Sequence, residues 1–252
     1  MICADTNELL WQEYQLRYQV YCEEFGFEKK ENFPAHVETD AYDNYAKHCL
    51  LIHKPSDRVI GCLRLIVKDT NRDSFLLPIE EHCNTIDSKK FDFSKLKRKR
   101  LGEYSRFTVL ADFRRRKTDH YMPVDSYTSK ANVMIHQERR MTYPIIPLSL
   151  CLVGLVMGAE SKLDHGLAIM ESGLAALLKR SSIHCKQIGG LMDYHGPRAP
   201  YEILLLKSIL LLSEERKALT RAIANDLGGS FVESIDRIIA ETKSSRMPIT
   251  AV

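Results

Sequence analysis

The stretch "KRKRLGEYSRFTVL", residues 97–110, decides how the chain is read. Tyr104, Phe107, Thr108, Val109 and Leu110 are strand formers, so its second half predicts a β-strand. Glu103 and Arg106 nevertheless sit inside it. A buried charge is costly unless it is paired, so the strand belongs either to a solvated sheet face or to a site that uses these charges. The two residues are three apart. In a regular strand they would face opposite ways; a β-bulge would bring them to one side and splay the strand.

Working outward, residues 7–25 predict an amphipathic helix with Leu10, Tyr14, Arg17 and Tyr21 on one face, ended by Gly26. "HCLLIHK" (48–54) and "RVIGCLRLIVK" (58–68), joined by "PSD", predict a hairpin. Beyond the opening strand, residues 111–143 are a polar insertion. Then follow a helix over 147–162, a strand 166–171, a helix 172–180, and strands over 183–189 and 199–206. The tail predicts two helices, one capped by Ser213 and one by a capping box of Ser230 and Glu233. Strands first, then strand–helix–strand, give an α/β (α+β) chain with helices on the faces of one sheet. Residues 1–210 form the main domain and 211–252 a helical extension.

Composition narrows the function classes. The chain has 252 residues and a net charge of +3, too small to imply a partner by itself. "KKFDFSKLKRKR" (89–100) holds seven basic residues and one acidic, and "RRRK" follows at 114–117. Seven cysteines, an odd number without CxxC spacing, predict free thiols in a reducing cytoplasm. The nine histidines show no metal-ligand spacing. The N-terminus does not read as a signal peptide. The run "PIIPLSLCLVGLVMGA" is shorter than the ~20 residues of a membrane span and predicts a buried helix.

Arg64 lies in "VIGCLRLIV", apolar on both faces. Either its stem packs near a sheet edge with its head in water, or it is buried with carboxylates, for which Asp40 and Asp43 are the candidates. Arg17, between Tyr14 and Tyr21 on the apolar helix face, poses the same choice. Two inward arginines and an Asp-x-x-Asp pair favour a buried ionic cluster.

The series Arg17, Tyr21, Phe27, Asp40, Asp43, Arg64, Glu103 and Arg106 resembles the signature of acyl-homoserine-lactone synthases. Tyr21 and Phe27 stand where that family has Phe and Trp, and an insertion precedes Glu103. The later "GGLMDYHGPRAPYEI" (189–203) resembles the related N-acyl amino acid synthases, including acyltransferases associated with PEP-CTERM/exosortase systems. The resemblance implies the GNAT fold, with a central mixed, mostly antiparallel sheet. It also implies transfer of a long-chain fatty acyl group from acyl carrier protein, or from acyl-coenzyme A, to the amine of an amino acid. Glu103 and Arg106 would be catalytic. Arg17, Tyr21, Phe27, Asp40, Asp43, Arg64, Tyr194, His195 and Arg198 would shape the substrate site. No cofactor or metal would be held, and a membrane would be met only through the lipid product. "ADFRRRKTDHYM", where coenzyme A-dependent relatives place a glycine-rich pyrophosphate cradle, has no glycine. That favours a carrier-protein donor, expected to dock on Lys95, Lys97, Arg98, Lys99 and Arg100, with Arg114, Arg115 and Arg116 nearby. Two rival readings remain: a homoserine-lactone synthase using S-adenosylmethionine, and a nucleic-acid-binding regulator reading through the tail helices.

Overall fold

The computed structural model describes residues 1–67, 75–114 and 145–244. Its strands are β1 (Ile2–Cys3), β2 (Ala46–His53), β3 (Arg58–Val67), β4 (Leu101–Val109), β5 (His165–Met170), β6 (Cys185–Gln187), β7 (Met192–Asp193) and β8 (Pro197–Leu204). They form one sheet in the order β1-β2-β3-β4-β5-β8-β6, with β7 paired to β8. All pairings are antiparallel except β4 with β5, which is the expected mixed sheet.

Seven α-helices lie among the described residues: α1 (Asn7–Tyr18), α2 (Pro78–His82), α3 (Ile145–Glu160), α4 (Ser172–Arg180), α5 (Leu205–Leu211), α6 (Glu214–Leu227) and α7 (Gly229–Ser244). Thr6 caps α1 by accepting from the Leu9 amide. The rest of the predicted first helix, Gln19–Glu24, is a π-helical turn, after which Gly26 takes φ +64°. That conformation is open to glycine at no steric cost.

α3 is the apolar run singled out in the sequence. It is buried along nearly its whole length because β3 and β4 cover one side and α5, α6 and α7 the other. Ile223, Ala224 and Ile235 of the tail helices join the same core. α1 lies on the opposite face of the sheet, against β3. A smaller apolar cluster there, including Ile66, Leu77, Ile79, Leu101 and Leu167, sits under α2.

Two local readings need correction, and two short elements were not foreseen. The last predicted strand stops at Leu204 and continues as α5, which was read partly as strand. α2 and β1 carry too few residues to show a period and were not foreseen. Ser213 does cap α6, but α7 begins at Gly229, so Ser230 lies inside the first turn and its carbonyl accepts from the Ser234 hydroxyl. Of the polar insertion, Ala111–Phe113 forms a 3-10 turn; residues 115–143 lie outside the described residues.

Candidate active site

The answer to the opening stretch is a bulge. Arg64 pairs with Ser105 and Cys62 with Thr108, so β4 carries one residue more than β3 between them. The extra residue falls beside Arg106, whose φ is +53°, an uncommon and strained value for a non-glycine side chain. The kink turns Arg106 to the α1 side of the sheet, the side that Glu103 and Arg64 already face. Beside it, β4 and β5 are paired only over Leu101–Glu103 and His165–Leu167. The two parallel strands then part, leaving the second half of β4 without pairing to β5 and a V that opens toward their C-terminal ends.

Beneath α1 the charges form one network. Arg17, fully buried, donates from Nε to Glu38 at 2.5 Å and from its terminal nitrogens to both Asp43 oxygens at 2.7 and 3.2 Å. Arg64, 1% exposed, donates to Asp40 and Asp43, each at 2.6 Å, and to Ser105 Oγ at 2.9 Å. Arg106 clamps Glu38 with Nε at 3.1 Å and a terminal nitrogen at 2.7 Å, and reaches Asp40 at 3.1 Å. The guanidiniums of Arg17 and Arg106 also lie over the Tyr14 and Tyr21 rings, at 5.2 and 5.1 Å. Burial alone would raise the Glu38 carboxyl, but Arg17 and Arg106 overcome it and hold the group at about 2. Asp43 is likewise held well below the usual carboxylate range, by Arg17 and Arg64 against the cost of burial. Burial works against the Arg17 charge, yet Glu38 and Asp43 raise its pKa further.

Arg64 and Arg17 are therefore cluster residues, not solvated heads. Sequence reasoning found Asp40 and Asp43 but missed Glu38, the central acceptor. It also missed Glu13, 3.8 Å from Arg17, and His48, which bonds Glu13 at 3.0 Å. Two signals were available: Glu38 stands in "VETDAYD", and Glu13 precedes Arg17 by four on one helix face.

Glu103 differs from these carboxylates. It is 4% exposed and none of the three guanidiniums forms an ion pair with it. Its acceptor Oε2 receives the Ile79 amide at 2.7 Å, one of the otherwise unpartnered donors of the first turn of α2. Desolvation dominates over that bond and over the more distant Arg64, pushing the carboxyl up to about 8. A carboxyl poised near neutrality beside a parted strand can exchange a proton with a bound group.

The "DYHGPR" region folds over the same place. Tyr194–Gly196 make the turn between β7 and β8, with His195 at φ +55° and Gly196 at φ +101°. His195 stacks on Phe27 at 4.6 Å, and Phe27 stacks on Phe25 at 4.8 Å. Arg198 lies over Phe27 at 5.5 Å and bonds Glu171 at 3.2 Å. Tyr21 meets Phe27 edge-on at 6.1 Å. The structure thus brings Tyr21, Phe27, Tyr194, His195 and Arg198 together over Arg106.

The basic runs do not form one surface. Lys95–Arg100 precede β4 and Arg114 follows it, so a nine-residue strand, about 27 Å of extended chain, separates them. Arg98 pairs with Glu80 at 2.5 Å and Arg100 with Asp164 at 2.8 Å. Lys95 bonds Asp92 at 3.3 Å, while Lys97 and Lys99 are exposed. This run lies at the closed end of the V. Arg114, at the open end, pairs with Glu24 and lies over Phe25 at 4.2 Å. Arg115 and Arg116 lie outside the described residues.

Residues 16–123 match the family model for the acetyltransferase (GNAT) domain, a stretch that runs from α1 past the bulged strand. Those residues carry the GNAT match, and the sheet with its parted parallel strands is the GNAT fold of an acyltransferase. Among solved structures it is similar to TofI in a ternary complex with an inhibitor and MTA, at 15% identity and TM-score 0.52, covering 92% of this chain and 100% of that one. It is similar also to BjaI, a coenzyme A-dependent acyl-homoserine lactone synthase with SAM and isopentyl-CoA, at 14% identity and TM-score 0.51, over 94% and 97% of the two chains. FeeM, an N-acyl amino acid synthase from uncultured soil microbes, gives 13% identity and TM-score 0.48 over 85% and 94%. At these identities the likeness to TofI and BjaI establishes the fold alone. No curated protein matches the sequence.

Proposed function

We propose that the chain is an N-acyl amino acid synthase: it moves a fatty acyl group from the pantetheine thioester of acyl carrier protein to the amine of an amino acid. The observation that carries this reading is Glu103, a buried carboxyl with its pKa pushed up to about 8, set where β4 and β5 part. The thioester arm lies in the V. Glu103, directly or through a water, takes a proton from the acceptor ammonium. The freed amine attacks the thioester carbonyl, forming the C–N bond. Main-chain N–H groups on the unpaired edge of β4 hold the oxyanion. Collapse breaks the C–S bond, and the second proton of the acceptor nitrogen passes to the leaving pantetheine thiolate, leaving the amide.

In this reading the cluster of Arg17, Glu38, Asp40, Asp43, Arg64 and Arg106 is a rigid floor. Each guanidinium is already bonded to at least two carboxylates, so the floor shapes the acceptor pocket while Tyr194, His195 and Arg198 cover it. The carrier protein meets the open end of the V, where Arg114 supplies positive charge for an acidic partner. Seven free cysteines suit a reducing cytoplasm, and no helix among the described residues is long and apolar enough to cross a membrane. The resemblance of the "DYHGPR" region supports a role beside exosortase systems.

A second reading, a homoserine-lactone synthase using S-adenosylmethionine, is favoured by the Arg17–Asp43–Arg64–Arg106 cluster, which that signature shares. Mass spectrometry of lipids from a strain expressing the chain separates the two. Open-chain acyl amino acids, absent with Glu103→Gln, support the proposal. Acyl-homoserine lactone as the main product overturns the acceptor, and no acylated amine at all overturns the reaction.

A further inference from the structure

Arg198 stands on the same face of the sheet as Glu103. Glu103, Leu167 and Glu202 lie in register across β4, β5 and β8. Arg198 is four residues from Glu202 along β8, an even number that returns its side chain to that face. It is displaced toward the open end of the V, about 13 Å along β8 and, two strands over, about 10 Å across. The pairing of β5 with β8 ends at Met170 and Ala199, and the next rung sets Glu171 opposite Arg198. Register alone thus accounts for their bond, from one terminal nitrogen of Arg198 to Glu171 at 3.2 Å. No other carboxylate among the described residues pairs with Arg198. Glu171 holds it loosely: the Glu171 side chain is 63% exposed against 16% for Arg198, and an ion pair with a solvated partner is weak. The cluster guanidiniums are different. Arg17, Arg64 and Arg106 are matched by Glu38, Asp40 and Asp43, so an anion brought to them would meet three carboxylates.

We propose that Arg198 binds the carboxylate of the acceptor, with Glu171 as a placeholder that the acceptor displaces, so that the enzyme selects amino acids against amines that lack a carboxylate. This rests on the reading of the chain as an acyltransferase to an amino acid, and adds which group of the acceptor is recognised and by what. A guanidinium with unused donors meets a carboxylate through two parallel N–H···O bonds. Its stem and plane are already steadied over the Phe27 ring. With the carboxylate held there, the amine of an α-amino acid points back along the same face toward Glu103.

The test compares each common L-amino acid with its carboxamide, as acceptors with dodecanoyl-pantetheine as donor and as ligands titrated by calorimetry into the full chain. A carboxamide has the less basic amine, so a preference for the acid cannot come from the nucleophile. For the amino acids that are acylated, kcat/KM should fall about 10- to 100-fold on amidation, the worth of a hydrogen-bonded charge. Arg198→Gln should raise KM for the acid by about the same factor, with a much smaller change in kcat, and should treat acid and amide alike. Arg198→Lys should recover part of the preference, since it restores the charge without the fork. Glu171→Gln, at an exposed position, should lower KM for the acid several-fold but not for the amide, and serves if Arg198→Gln does not fold. Carboxylate-dependent binding that Arg198→Gln abolishes, with no transfer to any acceptor, removes the proposed reaction and leaves the subsite standing. Carboxamides accepted as readily as acids, a preference that survives Arg198→Gln, or no amino acid bound at all, overturns the role of Arg198.

Discussion

Replacing Glu103 by glutamine should sharply reduce turnover and stabilise the protein above neutral pH. Both effects come from one burial. The carboxyl rises from an ordinary 4.5 to about 8 because desolvation outweighs the Ile79 amide bond. Below pH 4.5 it is protonated in the folded and the unfolded chain, and costs nothing. Between pH 4.5 and 8 the unfolded chain loses this proton while the folded chain keeps it, so folding becomes less favourable as pH rises. At 1.36 kcal/mol per pKa unit the loss approaches about 5 kcal/mol by pH 9, an upper figure because charged groups in protein interiors relax. Glutamine keeps an oxygen for the Ile79 amide and has no proton to lose. Urea melts of the two proteins should therefore coincide near pH 5 and separate by several kcal/mol at pH 9, with Glu103→Gln the more stable.

Turnover should move the other way. With the group half ionised near pH 8, about a tenth is a competent base at pH 7, so native kcat/KM should rise nearly tenfold per pH unit up to about 8 and then level. Glu103→Gln should lose roughly 10²–10⁴-fold and lose that limb of the profile. Equal melts at pH 9, together with a flat native profile, would mean that Glu103 is ionised and solvated and would refute the reasoning from burial.

Arg64→Ala should cost about 3–5 kcal/mol, because Asp40 and Asp43 each lose a buried partner; a urea midpoint within the ~1 kcal/mol of a surface pair would show that Arg17 and Arg106 suffice. Glu38 is held at about 2, so its contribution to stability is full above pH 4.5 and should be lost as pH falls toward 2, and Glu38→Gln should flatten that part of the acid denaturation curve. Reversing Arg114, Arg115 and Arg116 to glutamate should raise KM for a carrier-protein donor but not for a minimal pantetheine thioester, increasingly so at low salt. The same reversal at Lys95, Lys97 and Lys99 should leave both constants unchanged, and the opposite pattern would return docking to the closed end of the V.

How much of this was legible depended on whether a residue's partner was near in sequence or only in space. The three-residue spacing of Glu103 and Arg106 in an apolar strand was enough to anticipate the bulge, since no regular strand can bury both charges on one side. Arg64 in an apolar hairpin required carboxylates, and the nearest pair upstream supplied them. Glu38 was not legible in the same way. It reaches Arg17 from 21 residues away and Arg106 from 68, through a loop whose path no periodicity records. The basic runs pose the complementary problem. Closeness in sequence across an extended strand means distance in space, and charge counts do not reveal that Arg98 and Arg100 are already bonded to Glu80 and Asp164.

The contrast between Glu38 and Glu103 carries the functional argument furthest. Both are buried carboxyls on the α1 side of one sheet, yet one is held near 2 and the other is pushed to about 8. The difference is the partner each meets. Glu38 bonds two guanidiniums, Arg17 and Arg106, the second because the bulge turns Arg106 at φ +53° onto Glu38 and Asp40; Glu103 bonds the Ile79 amide instead. A regular β4 would point Arg106 at α3, strip Glu38 of one of its two guanidiniums, and put an unpaired cation in the apolar core. The strain at residue 106 thus completes the fixed ionic floor, while desolvation leaves a titratable carboxyl three residues away, on the strand where β4 and β5 part.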